Sequence, residues 1–478
     1  MTRRGVIAAG HPLTAQAGAD VLRDGGNAVD AAIAAVAMAC VCEPVLCSPG
    51  GGGFAMIRHG GSVLLIDSFP HTPRRRSPTP DVEAVHAEFG TARQEFRIGP
   101  GTSATPGLFA GLAGMADRFG TAPLPPLVSA AVDAARNGIT VTPFQHHLFD
   151  VVGAIVTATD SARRLFVLDG ALMPVGATFR APGLADALEI LARDGLAASE
   201  VGAAVVAQQA GRGHLTDDDL VNYRAIEREP LEVELPECRV LLNPLPAAGG
   251  VLVEHTLRAL DGASPVDLAN ALGTTSSALQ RASDELFAPT TQTIRQRGTT
   301  HVSVLDGDGT ACAITTSNGE GNGEVVGGFD FMLNNVLGED DVNPSGHRWP
   351  LDARLSSMMC PTIIEGNDGA VTALGSGGSS RIRSAISQVV ARMCLGEGTL
   401  HDAVIAPRLH AEGGHLDVEP MDDSATLDSV VRNFPDHRVW PTPHMFFGGV
   451  HCARLDADGR LDGIGDPRRD GVAIVVDG

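Results

Sequence analysis

The chain has 478 residues, a formal net charge of -22, and 44% hydrophobic content with only 4% aromatic residues. All 35 basic residues are arginine, which excludes a lysine Schiff base, a P-loop lysine on phosphate and a lysine general base. The acidic balance argues against nucleic acid and anionic membrane surfaces as partners, and the length suits two or three domains or one large core packed on Ala, Val, Leu and Ile.

Residues 13–40 carry helical spacing on Ala15, Ala19, Leu22, Ala28, Ala32 and Val36, broken at Gly25-Gly26-Asn27, where Asn27 is placed to cap a second helix. Ser48 to Phe54 contains four consecutive glycines, too many for an ordinary turn and in no phosphate-binding pattern. Close approach of the backbone to a neighbouring strand or a substrate accounts for it. Phe54–Arg58 and Ser62–Ile66 then read as a hairpin around Gly60-Gly61. Residues 108–137 and 183–206 return to helical periodicity, and Thr216 is placed to cap a helix beginning at Asp217.

Residues 270–298 are rich in Thr, Gln, Ser and Arg and read as an exposed, flexible segment. The texture changes at Gly298-Thr299-Thr300-His301. His301–Leu305 and Ala311–Thr316 flank Asp306-Gly307-Asp308-Gly309, a strong hairpin signal. Residues 381–395 read as an amphipathic helix, and 448–455 and 471–477 as closing strands.

Thr299 at that junction can do two jobs. Its hydroxyl can attack the Gly298 carbonyl and cut the chain, and the freed residue then carries an α-amine whose ordinary pKa, about 7.7–8.0, lets it serve as base for its own hydroxyl. In isolation, Gly-Thr-Thr is an ordinary strand tripeptide, and only its surroundings make it more.

The eight cysteines are scattered and lack the two-residue spacer of zinc or redox pairs, so they read as reduced core residues. The 16 histidines show no metal-ligand spacing; His146-His147 reads as a surface pair and His301 as structural. No metal or organic cofactor is expected. No apolar run approaches the roughly 18 residues of a membrane span, and Met1-Thr2-Arg3-Arg4 does not lead into a signal-peptide core, so a cytoplasmic location is expected.

In order along the chain, Gly25 to Ala32, Gly50 to Phe54, Thr105-Pro106-Gly107, Leu215-Thr216 with Asp219-Leu220 and Tyr223, Gly298 to His301, Leu333-Asn334-Asn335, Leu355 to Met358, Gly375 to Gly378 and Asp466-Pro467-Arg468 resemble the γ-glutamyltranspeptidase family of N-terminal nucleophile hydrolases. The resemblance implies an α+β fold, a four-layer αββα sandwich of two mainly antiparallel sheets between helical layers. It also implies self-cleavage between Gly298 and Thr299, giving a large subunit (1–298) and a small subunit (299–478) that remain partners in one core. Thr299 would be the nucleophile, supported by Ser317 (or Thr316), with oxyanion donors at Gly377 and Gly378. Asn318, Glu339, Asp340, Ser356 and Ser357 would contact a small-molecule substrate.

The departures fall on substrate recognition. Where the family has an Asp-Phe-Arg-like segment whose arginine grips the glutamyl α-carboxylate, this chain reads Asp67-Ser68-Phe69-Pro70-His71, and Arg74-Arg75-Arg76 come several residues later. The Asp-Asp pair expected just after Asn334-Asn335 is shifted to Glu339-Asp340-Asp341. The expected activity is amide cleavage through an acyl-enzyme, by hydrolysis or transfer, with γ-glutamyl compounds such as glutathione as the default substrate. An oxamate-, cephalosporin- or natural-product-type acyl group is the first alternative, and an unprocessed, inactive binding protein is the second.

Overall fold

The structure, a computed structural model, describes residues 2–89, 92–286, 298–339, 349–396 and 398–477. Two antiparallel sheets form its centre. The seven-stranded sheet runs in the order Ile226–Arg228, Ser62–Ser68, Gly52–His59, Ala311–Ser317, Thr300–Asp306, Gly5–Ala9, Val472–Val476. The six-stranded sheet runs Leu231–Leu235, Cys238–Leu242, Thr362–Gly366, Val371–Gly377, Gly449–Leu455, Leu461–Ile464. Strand Thr300–Asp306 of the first sheet packs on Val371–Gly377 and Gly449–Leu455 of the second.

Helix Ala28–Cys42 lies across Thr300–Asp306 and Ala311–Ser317, and all of its residues are buried. Apolarity on every face of this helix, rather than on one stripe, is what that position demands. Its start is fixed as expected: Asn27 Oδ1 accepts from the backbone N–H of Val29 (2.9 Å) and Asp30 (3.0 Å), and the Asp30 carboxylate accepts from Asn27 N–H. Helix Arg381–Leu395 packs on Val371–Gly377 and on helix Ala248–Arg258. The expected hairpins at Gly60-Gly61 and Asp306–Gly309 are both present, and Thr216 caps Asp217–Asn222 in a capping box. The two closing strands enter different sheets. The eight cysteines are free and buried.

The glycine run is explained by strand packing. A Cβ on Gly50, Gly51, Gly52 or Gly53 would lie 2.3–2.4 Å from the carbonyl oxygens of Met332, Ser317, Ser68 or Thr315. No side chain fits such a gap.

One expectation fails. Residues 270–286 are not an exposed flexible segment; they belong to helix Pro265–Leu286, which packs on the small sheet of Leu409–Glu412, His415–Val418 and His437–Val439. Leu268, Ala269 and Leu272 are buried there. Its polar residues are used locally: Thr275 Oγ1 is 2.9 Å from His255 Nδ1 and 2.9 Å from Thr256 Oγ1. Satisfied hydroxyls let a polar sequence pack as a helix. The remainder of the expected segment, 287–297, lies outside the described residues. Among the described residues, no helix is long and apolar enough to cross a membrane.

Candidate active site

Thr299 stands immediately before strand Thr300–Asp306, buried between the two sheets, and lines a cavity of about 30 Å³. Phe69, Ser317, Val336, Glu339, Ser357, Met358, Met359, Ser379 and Ile382 complete the lining. The strands dictate this convergence. Thr299 precedes one strand of a hairpin and Ser317 ends the other, Phe69 follows the strand next but one, and Ser379 follows the facing strand of the second sheet.

Gly298, the residue before Thr299, is held at both its carbonyl and its N–H. Ser317 Oγ donates to the Gly298 carbonyl at 2.6 Å, and Gly298 N–H donates to Glu320 Oε1 at 3.2 Å. The backbone N–H of Gly319 donates to Ser317 Oγ at 3.0 Å, which occupies a lone pair of that oxygen and leaves its proton directed at the Gly298 oxygen. A donor so placed polarises the carbonyl and can stabilise an oxyanion formed on it. Thr316 faces the opposite side of its strand, donating to Cys47 Sγ at 3.3 Å, so Ser317 alone of that pair reaches the Gly298–Thr299 bond.

Behind the bond, a Cβ on Gly377 would lie 2.2 Å from the Thr299 carbonyl oxygen. Glycine is required here for close approach alone. Gly378 follows at φ 127° and Ser379 at φ 55°, a sharp reversal that feeds helix Arg381–Leu395. Ser357 reaches the cavity and accepts from Met359 N–H at 3.1 Å. Glu339 also reaches it, from the end of the short turn Val336–Gly338.

Two of the expected residues are not brought to this cavity. Asn318 is fully buried inside its own loop, its Nδ2 3.4 Å from the Met332 carbonyl, and does not line the cavity. The tight turn that brings Ser317 to Gly298 points the next side chain away. Ser356 is half-buried and also outside the lining. Asp340 lies outside the described residues. Arg74 pairs with Asp352 (3.1 Å) and Asp218 (3.4 Å), and the Arg76 guanidinium lies 4.6 Å from the Trp349 ring centroid, so neither enters the cavity. His301 is structural as expected: its ring nitrogens bond Thr315 Oγ1 (2.7 Å) and Ser303 Oγ (2.8 Å), and burial holds its pKa well below the usual imidazole value.

Sequence reasoning missed Glu43 and Arg469. Glu43, just past the end of helix Ala28–Cys42, accepts from Thr300 Oγ1 (2.6 Å) and Thr14 Oγ1 (3.1 Å). Burial raises its pKa, against the opposing pull of those hydroxyls and of Arg469. A carboxylate at the C-terminus of a helix that is apolar beyond its first turn opposes the helix dipole, and that mismatch was the signal available in the sequence. Arg469 Nη1 donates to the Thr299 carbonyl at 3.3 Å; burial first, then neighbouring Arg381, lowers its pKa to about 10. Nothing in the doublet Arg468-Arg469 distinguishes the inward residue. No group of three or more His, Cys, Asp or Glu suited to a metal ion occurs among the described residues.

A family model described as gamma-glutamyltranspeptidase matches residues 14–284 and 267–476. The chain is 27% identical to the acylase ACY 1 proenzyme of Pseudomonas sp. (strain V22), across 99% of this chain and 94% of that protein. It is also 27% identical to the glutathione hydrolase proenzyme of Escherichia coli (strain K12), across 98% and 90%. Among solved structures, the cephalosporin acylase of Bacillus halodurans superposes with a TM-score of 0.83 at 23% identity, covering 100% of this chain and 96% of that one.

Proposed function

This chain belongs to the γ-glutamyltranspeptidase family of hydrolases and acylases, and from that premise we propose that it is a self-processing N-terminal threonine hydrolase that cleaves an amide through an acyl-enzyme. The observation that carries the reading is Ser317 Oγ at 2.6 Å from the carbonyl oxygen of Gly298, the residue bonded to a buried threonine. In the first step Thr299 Oγ attacks the Gly298 carbonyl carbon, and the peptide nitrogen leaves as the α-amine of Thr299. Water then hydrolyses the resulting ester, giving fragments 1–298 and 299–478.

In turnover the α-amine takes the Thr299 hydroxyl proton as Oγ attacks the substrate carbonyl. The leaving amine departs with that proton, and water (or an acceptor amine) releases the acyl group. The backbone at Gly377–Gly378, beside Thr299, is the proposed oxyanion site. The reading also carries the four-layer αββα arrangement, with helix Ala28–Cys42 outside one sheet and Arg381–Leu395 outside the other. Glutathione-type γ-glutamyl compounds and other acyl amides are the two substrate classes within it.

The test is a denaturing gel with intact mass, wild type beside Thr299→Ala. Two fragments from wild type, one ending at Gly298 and one beginning at Thr299, with a single chain from the variant, are expected. Cleavage of Thr299→Ala at the same bond would refute the mechanism.

A further inference from the structure

We propose that Arg469 is a positioning residue for Thr299: its guanidinium ties the Thr299 backbone to Gly377–Gly378, and its charge favours the neutral, proton-accepting form of the α-amine that cleavage creates. The proposal rests on the threonine-hydrolase reading and names the group that tunes its base.

The side chain is threaded through a slot made by glycines. Gly377 and Gly449 are paired across strands Val371–Gly377 and Gly449–Leu455. A Cβ on Gly449 would lie 2.8–2.9 Å from Cβ, Cγ and Cδ of Arg469, one on Gly377 would lie 3.1 Å from Nη1, and one on Gly378 would lie 3.4 Å from Nη2. The stem therefore runs over Gly449, and the guanidinium lies along Gly377–Gly378 with Nη1 donating to the Thr299 carbonyl at 3.3 Å. The turn Pro467–Arg469 sends its two arginines apart: Arg468 reaches Glu419 at 2.6 Å, and Arg469 points inward, where it is 5% exposed. Burial first, then Arg381, lowers the Arg469 pKa, but only to about 10, so the group stays charged at neutral pH.

The separation makes that charge count. By covalent geometry Thr299 N lies within about 3.6 Å of its own carbonyl oxygen, so Nη1 is within about 7 Å of the future amine. A like charge at that distance lowers an amine pKa by about half a unit in water and by about two units at the effective dielectric of a protein surface. Facing Thr299 from neighbouring elements are Glu43, bonded to Thr300, Glu320, bonded to the Gly298 N–H, and Glu339 in the cavity lining. Arg381, Asp466 and Asp470 stand around Arg469 and Glu43, and burial holds His301 and His451 neutral. Carboxylates favour an ammonium, and Arg469, in contact with Thr299 itself, opposes them. Comparison of wild type with an Arg469 variant isolates its contribution from theirs.

The test exploits the composition. The chain has no lysine, so the processed protein carries two amines, on Met1 and Thr299. Reductive methylation with isotope-labelled formaldehyde marks both, and pH titration of each methyl signal by NMR gives its pKa, with Met1 as internal control. Wild type, Arg469→Met and Arg469→Lys are compared, with self-cleavage and the urea midpoint followed on each. The Thr299 signal is expected to titrate about half a unit to two units higher in Arg469→Met. In Arg469→Lys it should stay close to wild type, and the added ε-amine is recognised by its absence from the other two proteins. An unchanged or lowered value in Arg469→Met overturns the proposal, as does an Arg469→Lys value shifted as far as that of Arg469→Met. A folded Arg469→Met chain that does not cleave, beside an Arg469→Lys chain that does, supports the proposal at the cleavage step. Failure of both variants to cleave while wild type does so overturns it. A wild-type chain that never cleaves removes the hydrolase reading itself, and the gel separates that outcome from the others.

Discussion

Removing one hydroxyl should nearly stop self-cleavage while leaving the fold intact. Ser317→Ala deletes the 2.6 Å donor to the Gly298 carbonyl and also leaves the Gly319 N–H, 3.0 Å from Ser317 Oγ, without its acceptor. In the ground state this is one buried neutral hydrogen bond, so stability should fall by only about 1 kcal/mol, or about 1–3 with the orphaned N–H. In the transition state the same carbonyl oxygen becomes an oxyanion, and loss of one preorganised donor there costs about 2.7–4 kcal/mol, or about 100- to 1,000-fold in rate. The separation of these two magnitudes is the diagnostic. Cleavage half-time would be followed by gel and intact mass on freshly purified chain, with urea midpoints measured on both proteins in a Thr299→Ala background so that cleavage cannot confuse the comparison. Ser317→Thr, which keeps the hydroxyl, should recover most of the rate. A Ser317→Ala chain that cleaves at the wild-type rate would show that the 2.6 Å contact is structural and that another group stabilises the oxyanion.

Other residues give tests of the same kind. Gly377→Ala would place a methyl 2.2 Å from the Thr299 carbonyl oxygen, which must displace the Thr299 backbone; cleavage should slow by about 100-fold or more, and normal processing would refute the close approach. Asp466 pairs with buried Arg408 at 2.9 Å and with Arg468 at 3.2 Å; Arg468 keeps Glu419 at 2.6 Å, so Asp466→Ala strands the Arg408 guanidinium and should cost about 3–5 kcal/mol by urea midpoint; a cost under about 1 kcal/mol would show the pair to be dispensable. Burial lowers the pKa of His451 from 6.5 to about 4, so the unfolded chain binds a proton in that window before the folded one does. Stability from this histidine is complete above pH 6.5 and is lost as pH falls toward 4, by about 3 kcal/mol. His451→Gln should flatten that part of the pH-stability curve, and an unchanged slope would remove His451 as the cause.

Local signals carried most of the fold into the sequence. The helix Ala28–Cys42, its Asn27 cap and the hairpins at Gly60-Gly61 and Asp306–Gly309 each follow from periodicity or turn chemistry within a few residues. Helix Pro265–Leu286 was misread because its hydroxyls looked solvent-directed; Thr275 is instead satisfied by His255 and Thr256 of another helix, a pairing no local pattern announces. The same limit applies at the site. Thr299 could be singled out at the change of texture and Ser317 (or Thr316) through the family resemblance, but whether Ser356 or Ser357, or Asn318 or Glu339, faces the cavity depends on register across loops. Arg469 was invisible for a related reason, since its target is a backbone carbonyl 170 residues away in sequence.

Strand order also explains why a cut at Thr299 would rearrange bonds without dismantling the molecule. In the seven-stranded sheet, Gly5–Ala9 from the first segment lies hydrogen-bonded between Thr300–Asp306 and Val472–Val476 from the second. In the six-stranded sheet, Cys238–Leu242 pairs with Thr362–Gly366 across the same divide. The Asp306 carboxylate accepts from Ala28 N–H at 3.1 Å, so the start of the central helix is itself tied to the second segment. Separating the fragments would strip both sheets of internal pairings and expose the core between them. The cavity is shared in the same way, with Phe69 contributed by the first segment and Thr299, Ser317, Glu339 and Ser357 by the second. What such a cut would change is Gly298. Its N–H and carbonyl are bonded to Glu320 and Ser317, and a Cβ there would lie 2.3 Å from the Gly319 carbonyl. The intact chain therefore occupies the Ser317 hydroxyl, and a cavity of about 30 Å³, room for one or two waters, is what remains beside it. Release of Gly298 would free Ser317 and the space in front of Thr299 together, so that the step creating the nucleophile's amine is also the step that opens its pocket.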